Sequence, residues 1–406
     1  MNVPPTTAGV RTPTPGDLLV RRASRVLTNG PDPVVEGPAA VLIQRGRVQL
    51  VVPETELLDQ LSGRVDVAEL DAAGGAVIPG FVDAHTHLVF AGDRAGEFEA
   101  RLEGRPYEAG GIMRTVEATR AAEFEELVAG IEERAALCVD TGTTTIEVKS
   151  GYGLETTTEK RCLEAVHRAG RMLAAEVELV PTFLGAHLNP DPGYVDRLIE
   201  EMLPECAPLA TSCDAFCDTG ALTIDEARRV LEAGKTHGLI PRIHAEQLDR
   251  TGAAVLAAEL GCASADHLVQ ATEGDAKALA AAGVVAVLLP AASFSMRSSY
   301  AGARLFLDAG GEIALATDCN PGTSFTTSMP FVIALACSAY GLSATEAVRA
   351  ATLGGARALR RGDIGVLTAG ARGDLIVIGG DSWVDLAYHP GMDVITNVVK
   401  EGRVVR

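Results

Sequence analysis

The 406-residue sequence predicts an α/β protein: a (β/α)8 barrel of the TIM type, with a small β-sandwich domain built from both chain ends. Three observations lead there. Between residues 76 and 361, eight apolar runs alternate with helix-like stretches, which is the rhythm of a parallel barrel. The flanks, 17–75 and 362–406, hold short β-type runs with turns and too few helical patterns for another barrel unit. Five of the eight histidines stand at the C-terminal ends of the apolar runs, the end of a barrel where active sites lie. A doubly wound open sheet is the alternative; it usually has fewer strands and would not gather residues from all of them at one end.

Taken in order, residues 1–16 are Pro- and Thr-rich without an apolar core, so a disordered tail is expected rather than a signal peptide. "AAVLIQRGRVQLVV" then reads as part of the first half of the β domain. The barrel strands are expected in "AVIPGFVDAHTHLVF", "GTTTIEVKSGYG", "EVELVPTFLGAH", "SCDAFCDTG", "GLIPRIHAEQ", "CASADHLVQ", "VVAVLLPAASF" and "EIALATDCNPG". Among the helices between them, Phe124, Leu127, Val128 and Ile131 follow the spacing of one helical face. Thr223 with Glu226, and Ser343 with Glu346, are capping boxes that open two more. "GDLIVIGG" and "NVVKEGRVV" return to the β domain.

The composition, 47% hydrophobic, allows a large core. The net charge of -19, with no Lys/Arg cluster, argues against nucleic acid and anionic membranes as partners. Eight scattered cysteines without a CxxC pair are expected as buried, reduced thiols of a cytoplasmic protein. No apolar run reaches the length of a membrane span. The expected partners are a small-molecule substrate and a second copy of the chain, as a homodimer.

The chemistry starts from "HTH". Residues i and i+2 of a strand face the same way, so His85 and His87 both project into the barrel mouth. Alone, the pair reads equally as half of a metal site or as two core histidines. His244, ending the fifth run, and Asp318, ending the eighth, add a third imidazole and a carboxylate. Such a set holds one zinc or iron ion and leaves room for water. His167, His237 and His389 sit in helical or loop contexts and are read as structural.

This pattern, with His267 after the sixth run, resembles the amidohydrolase superfamily over nearly the whole chain. "EVKSGYGL", "TFLGAH", "HAEQL", "SADHL" and "ATDCNPGTS" are similar to the branch that opens an imidazolone ring bearing a propionate. The resemblance implies hydrolysis of 4-imidazolone-5-propanoate to N-formimidoyl-L-glutamate in histidine degradation. It implies a single metal, divalent or trivalent, zinc or iron, with Lys149 not a ligand. It also implies catalytic roles for Asp318, in proton transfer, and for His267, in proton transfer or oxyanion stabilisation.

Substrate contacts are expected at Arg94, Tyr107, Tyr152, His187, Gln247, Asn320, Gly322 and Thr323. Arg94 suits the propionate as a two-pronged donor; by charge alone a surface ion pair is as good a reading. Gln247 stands where related deaminases carry a Glu. It can hold an amide but cannot shuttle a proton, which counts against the second reading, an aminohydrolase of a heterocyclic base. Glu246 is expected behind the site, and Cys319 as packing. A non-catalytic scaffold is the third reading and leaves the ligand set unexplained.

Overall fold

In the computed structural model, residues 16–60, 67–104 and 111–406 are described. Apart from Gly16, the tail expected over 1–16 lies outside them, and so does Tyr107. The first strands are β1 (Leu18–Leu27), β2 (Val34–Gln44), β3 (Arg47–Pro53), β4 (Ala68–Asp71) and β5 (Val77–Pro79). Eight short strands follow: β6 (Phe81–Asp83), β7 (Thr143–Lys149), β8 (Glu178–Ala186), β9 (Ser212–Cys217), β10 (Ile240–Ala245), β11 (Ser264–His267), β12 (Val285–Leu288) and β13 (Ile313–Leu315). The chain ends with β14 (Leu375–Ile378), β15 (Ile395–Lys400) and β16 (Arg403–Val404).

β6 to β13 pair in sequence order, and every pair is parallel. Helices cross between them, as the alternating pattern requires. The helix Phe124–Asp140 buries Leu127, Val128 and Ile131. Both capping boxes form, opening the helices Ile224–Thr236 and Ala344–Arg349.

The barrel closes between β13 and β6 without a regular ladder. Just past the strand ends, Asp318 N donates to His85 O (3.0 Å), His87 N donates to Cys319 O (2.9 Å), and Thr86 bridges Cys319. Deeper in, Asp83 accepts from Thr317 N (3.0 Å) and Oγ1 (2.6 Å). A helical segment seals this seam at two glycines. A Cβ on Gly354 would stand 2.2 Å from Ile313 O, and one on Gly355 2.2 Å from Val82 O.

The chain-end strands form the second sheet, ordered β16-β15-β14-β5-β1-β2-β3 with β4 beside β1. It is mostly antiparallel. Val48 of β3 and Val399 of β15 lie far apart in the strand order yet share one core cluster, so the sheet closes over itself as a sandwich does. One expectation needs correcting. "AVIPGFVDAHTHLVF" is not a single barrel strand: Val77–Pro79 pairs with β1 and β14, and only Phe81–Asp83 enters the barrel. The division falls at Gly80, whose N–H donates to Asp374 O and where a Cβ would meet Thr144 Oγ1 at 2.3 Å.

Candidate active site

Parallel strands bring their C-terminal ends to one mouth, where His85, His87, His244, His267 and Asp318 converge, all buried. Two overlapping groups have donor atoms within 4.8 Å of one another: His85, His87 and Asp318, and His85, His244 and His267. Asp318 Oδ1 lies 3.5 Å from Nε2 of both His85 and His87. That is long for a hydrogen bond and close to the ~3.3 Å edge of a tetrahedral shell with bonds of about 2.0–2.1 Å.

Two carboxylates set the histidine tautomers. Asp266 Oδ2 takes His85 Nδ1 (2.6 Å), and Asp214 Oδ1 takes His244 Nδ1 (3.1 Å). An Nδ1–H engaged in this way leaves Nε2 with its lone pair, the usual state of an imidazole metal ligand. Nε2 of both rings is buried with no hydrogen-bond partner, as is Nδ1 of His87. The orphaned Nε2 atoms of His85 and His244, with His87 Nε2 and a buried carboxylate close to the first, fit a cation, because leaving buried nitrogens unpaired is costly. Burial keeps His85, His87 and His267 far below the usual imidazole range, with Lys149 or neighbouring histidines adding to it. These rings are neutral. Burial pushes Asp318 well up, and it lowers His187 to about 3, with help from His244.

The loops around the mouth are tightly held. Asp318, His267, Leu268 and Glu246 all have positive φ, a cost that non-glycine residues bear mainly where function or packing demands it. Glu246 accepts from the backbone of Thr251, Gly252 and Ala254, so it shapes the loop and the helix start behind the site. Asp218 accepts the N–H groups of Gln247, Leu248 and Asp249, which places the Gln247 side chain in the pocket wall. Glu159 accepts from Gly151, Gly153 and Leu154 and so braces the loop that carries Tyr152.

Of the expected substrate contacts, Arg94, Tyr152, His187, Gln247, Asn320 and Thr323 line one pocket with His87, His244, His267 and Asp318. His187 stacks on His87 (5.1 Å, 17°), and its Nδ1 meets Gly151 O at 3.0 Å. Arg94 is buried in the wall, with Nε and Nη2 on Glu97 Oε2 at 3.0 and 2.6 Å. Gly322 lies directly against it, since a Cβ there would come within 2.3 Å of Arg94 Nη1. The Asn320 side chain is engaged inside its own loop. Its Oδ1 accepts from Gly322 N and Thr323 N, and its Nδ2 donates to Asp318 O and Thr323 Oγ1. It therefore shapes the loop as well as lining the pocket. Cys319 is core packing.

Asp214, Asp266, Asp218 and Glu159 were not among the sequence candidates. Nor was Phe216, whose ring lines the pocket 5.6 Å from that of His244. The signal for Asp214 and Asp266 was an acid inside an otherwise apolar run.

Residues 76–405 match the model of the amidohydrolase family. The imidazolonepropionase of Streptomyces coelicolor is 47% identical over 396 residues, 95% of this chain and 98% of that one. The imidazolonepropionase of Mycolicibacterium smegmatis is 45% identical over 401 residues, 96% and 97% of the two chains. Among solved structures, a mutant atrazine chlorohydrolase of Arthrobacter aurescens, complexed with zinc and atraton, superposes with a TM-score of 0.75 at 18% identity, covering 96% of this chain and 95% of that one.

Proposed function

The chain belongs to the amidohydrolase family and, within it, to the imidazolonepropionases, and from that premise we propose how its own residues carry the reaction. The protein is a hydrolase of a carbon–nitrogen bond in a cyclic amide, opening 4-imidazolone-5-propanoate to N-formimidoyl-L-glutamate. The observation that supports the site assignment is a pair of overlapping donor groups that share His85, one with His87 and Asp318 and one with His244 and His267, in which Nε2 of His85 and of His244 is buried without a hydrogen-bond partner. The family supports a divalent metal; we propose zinc or iron, since three imidazoles and a carboxylate suit both. His85, His87, His244 and Asp318 would hold such a metal, which would supply Lewis acidity towards a carbonyl and lower the pKa of a water from 15.7 towards about 7.

The remaining work falls to side chains. Arg94 receives the propionate, and Gln247 and Tyr152 steady the ring. Asp318 accepts the proton of the attacking water and returns it to the ring nitrogen as the carbon–nitrogen bond breaks. His267, neutral and enclosed, donates its N–H to the carbonyl oxygen as that oxygen gains charge. Tyr107 belongs to the same proposal as a rim donor. We also propose a cytoplasmic homodimer. Eight free cysteines, seven of them buried, support a reducing compartment. The exposed rings of Phe98, Phe294 and Phe325, which line one groove beside the mouth, support association.

Freshly made imidazolone propionate, incubated with metal-loaded protein, should lose its ring absorbance with turnover. Absence of that loss, with turnover of a heterocyclic amine instead, would overturn the reading in favour of a deaminase.

A further inference from the structure

Lys149 is fully enclosed beneath the pocket, and the chemistry above gives it no task. Its Nζ donates to Asp214 Oδ2 at 2.7 Å and to Glu147 Oε1 at 2.8 Å. Both carboxylates spend their second oxygen on the candidate metal site. Asp214 Oδ1 orients His244, and Glu147 Oε2 accepts the amide of Thr86, the residue between His85 and His87. The backbone repeats the link, with Lys149 N donating to Thr86 O at 2.9 Å. One ammonium thus ties the imidazole arriving from β10 to the chain that carries the other two.

We propose that Lys149 is a positioning residue for metal binding: through Asp214 and Glu147 it holds His244 in register with His85 and His87. The inference rests on the metal-site reading above. A carboxylate with both oxygens engaged cannot swing, and neither can an imidazole whose Nδ1 it holds. Groups that orient metal ligands in this way typically change metal affinity ten- to a hundredfold when removed. A buried ammonium among carboxylates also balances charge, which is a merely structural role, so the test must separate the two.

Lys149→Met keeps the stem and removes the charge; adding Glu147→Gln restores the charge balance without restoring the hold on Asp214. Each full-length apoprotein is titrated with zinc against a chromophoric chelator, and its melting temperature is measured without metal. We expect zinc affinity to fall ten- to a hundredfold in Lys149→Met. The double variant should keep that loss while its melting temperature returns towards wild type. If Lys149→Met does not fold, the affinity of the double variant decides alone. Affinity within threefold of wild type, or affinity recovering in step with melting temperature, overturns the inference. A wild type that binds no metal overturns the site reading itself, and is told apart because every variant is then compared with an empty parent.

Discussion

At the scale of single residues, the candidate site was legible where chemistry repeats in a pattern and obscure where it depends on a partner strand. "HTH" could be read because two imidazoles at i and i+2 share a face. Asp214 and Asp266 could not, because each acts on a histidine of another segment. Asp214 lies on β9 and serves His244 of β10; Asp266 lies on β11 and serves His85. What the sequence does not show for Asn320 is how fully its side chain is engaged within its own loop. Arg94 is an ion-paired residue, on Glu97, but a buried one in the pocket wall rather than on the surface. If it receives the propionate, Arg94→Lys loses the two-pronged contact, worth about 1.5–3 kcal/mol for a charged hydrogen bond. KM should then rise ten- to a hundredfold with kcat little changed, as steady-state kinetics would show; an unchanged KM would remove Arg94 from the substrate site.

At the scale of elements, all eight apolar runs contain barrel strands, and both capping boxes form. The first run was misjudged because both of its halves are apolar and buried, although its Pro79-Gly80 pair is a turn signal. Glu346 caps its helix and pairs with Arg304, and these contacts hold its carboxyl down to about 2. A depressed carboxyl stabilises the fold above its unfolded pKa, about 4.3, and that stabilisation drains away as pH falls towards 2. Glu346→Gln should therefore cost about 1 kcal/mol at pH 7, the worth of a cap, and progressively less below pH 4; urea midpoints at both pH values test this. The seam makes a sharper prediction. Gly355→Ala drives a methyl into the Val82 carbonyl and should cost about 1–3 kcal/mol, as overpacking does. A denaturation midpoint equal to wild type would show that the seam can open at no cost.

At the scale of the whole molecule, the fold class could be read from rhythm alone, since eight strand-helix alternations leave few architectures. What rhythm could not reveal is how the barrel closes: β13 and β6 share no regular ladder, and the seam is joined by Asp83 with Thr317 and, above them, at the level of His85, His87, Asp318 and Cys319. A cation held by ligands on both sides of that gap should stabilise the whole protein. With metal at a hundred times its dissociation constant, the gain is about 2.7 kcal/mol. Stripping it with a chelator should lower the calorimetric melting temperature, and adding it back should restore it; a melting curve indifferent to chelator would detach the metal from the seam.

That seam also bears on how the protein is made. A nascent chain exposes His85 and His87 early, but their carboxylate partner Asp318 comes only after the last barrel strand, and the β5 neighbour β14 later still. Closing the seam is therefore a long-range event in the chain, the kind of contact whose loop-closure cost slows folding.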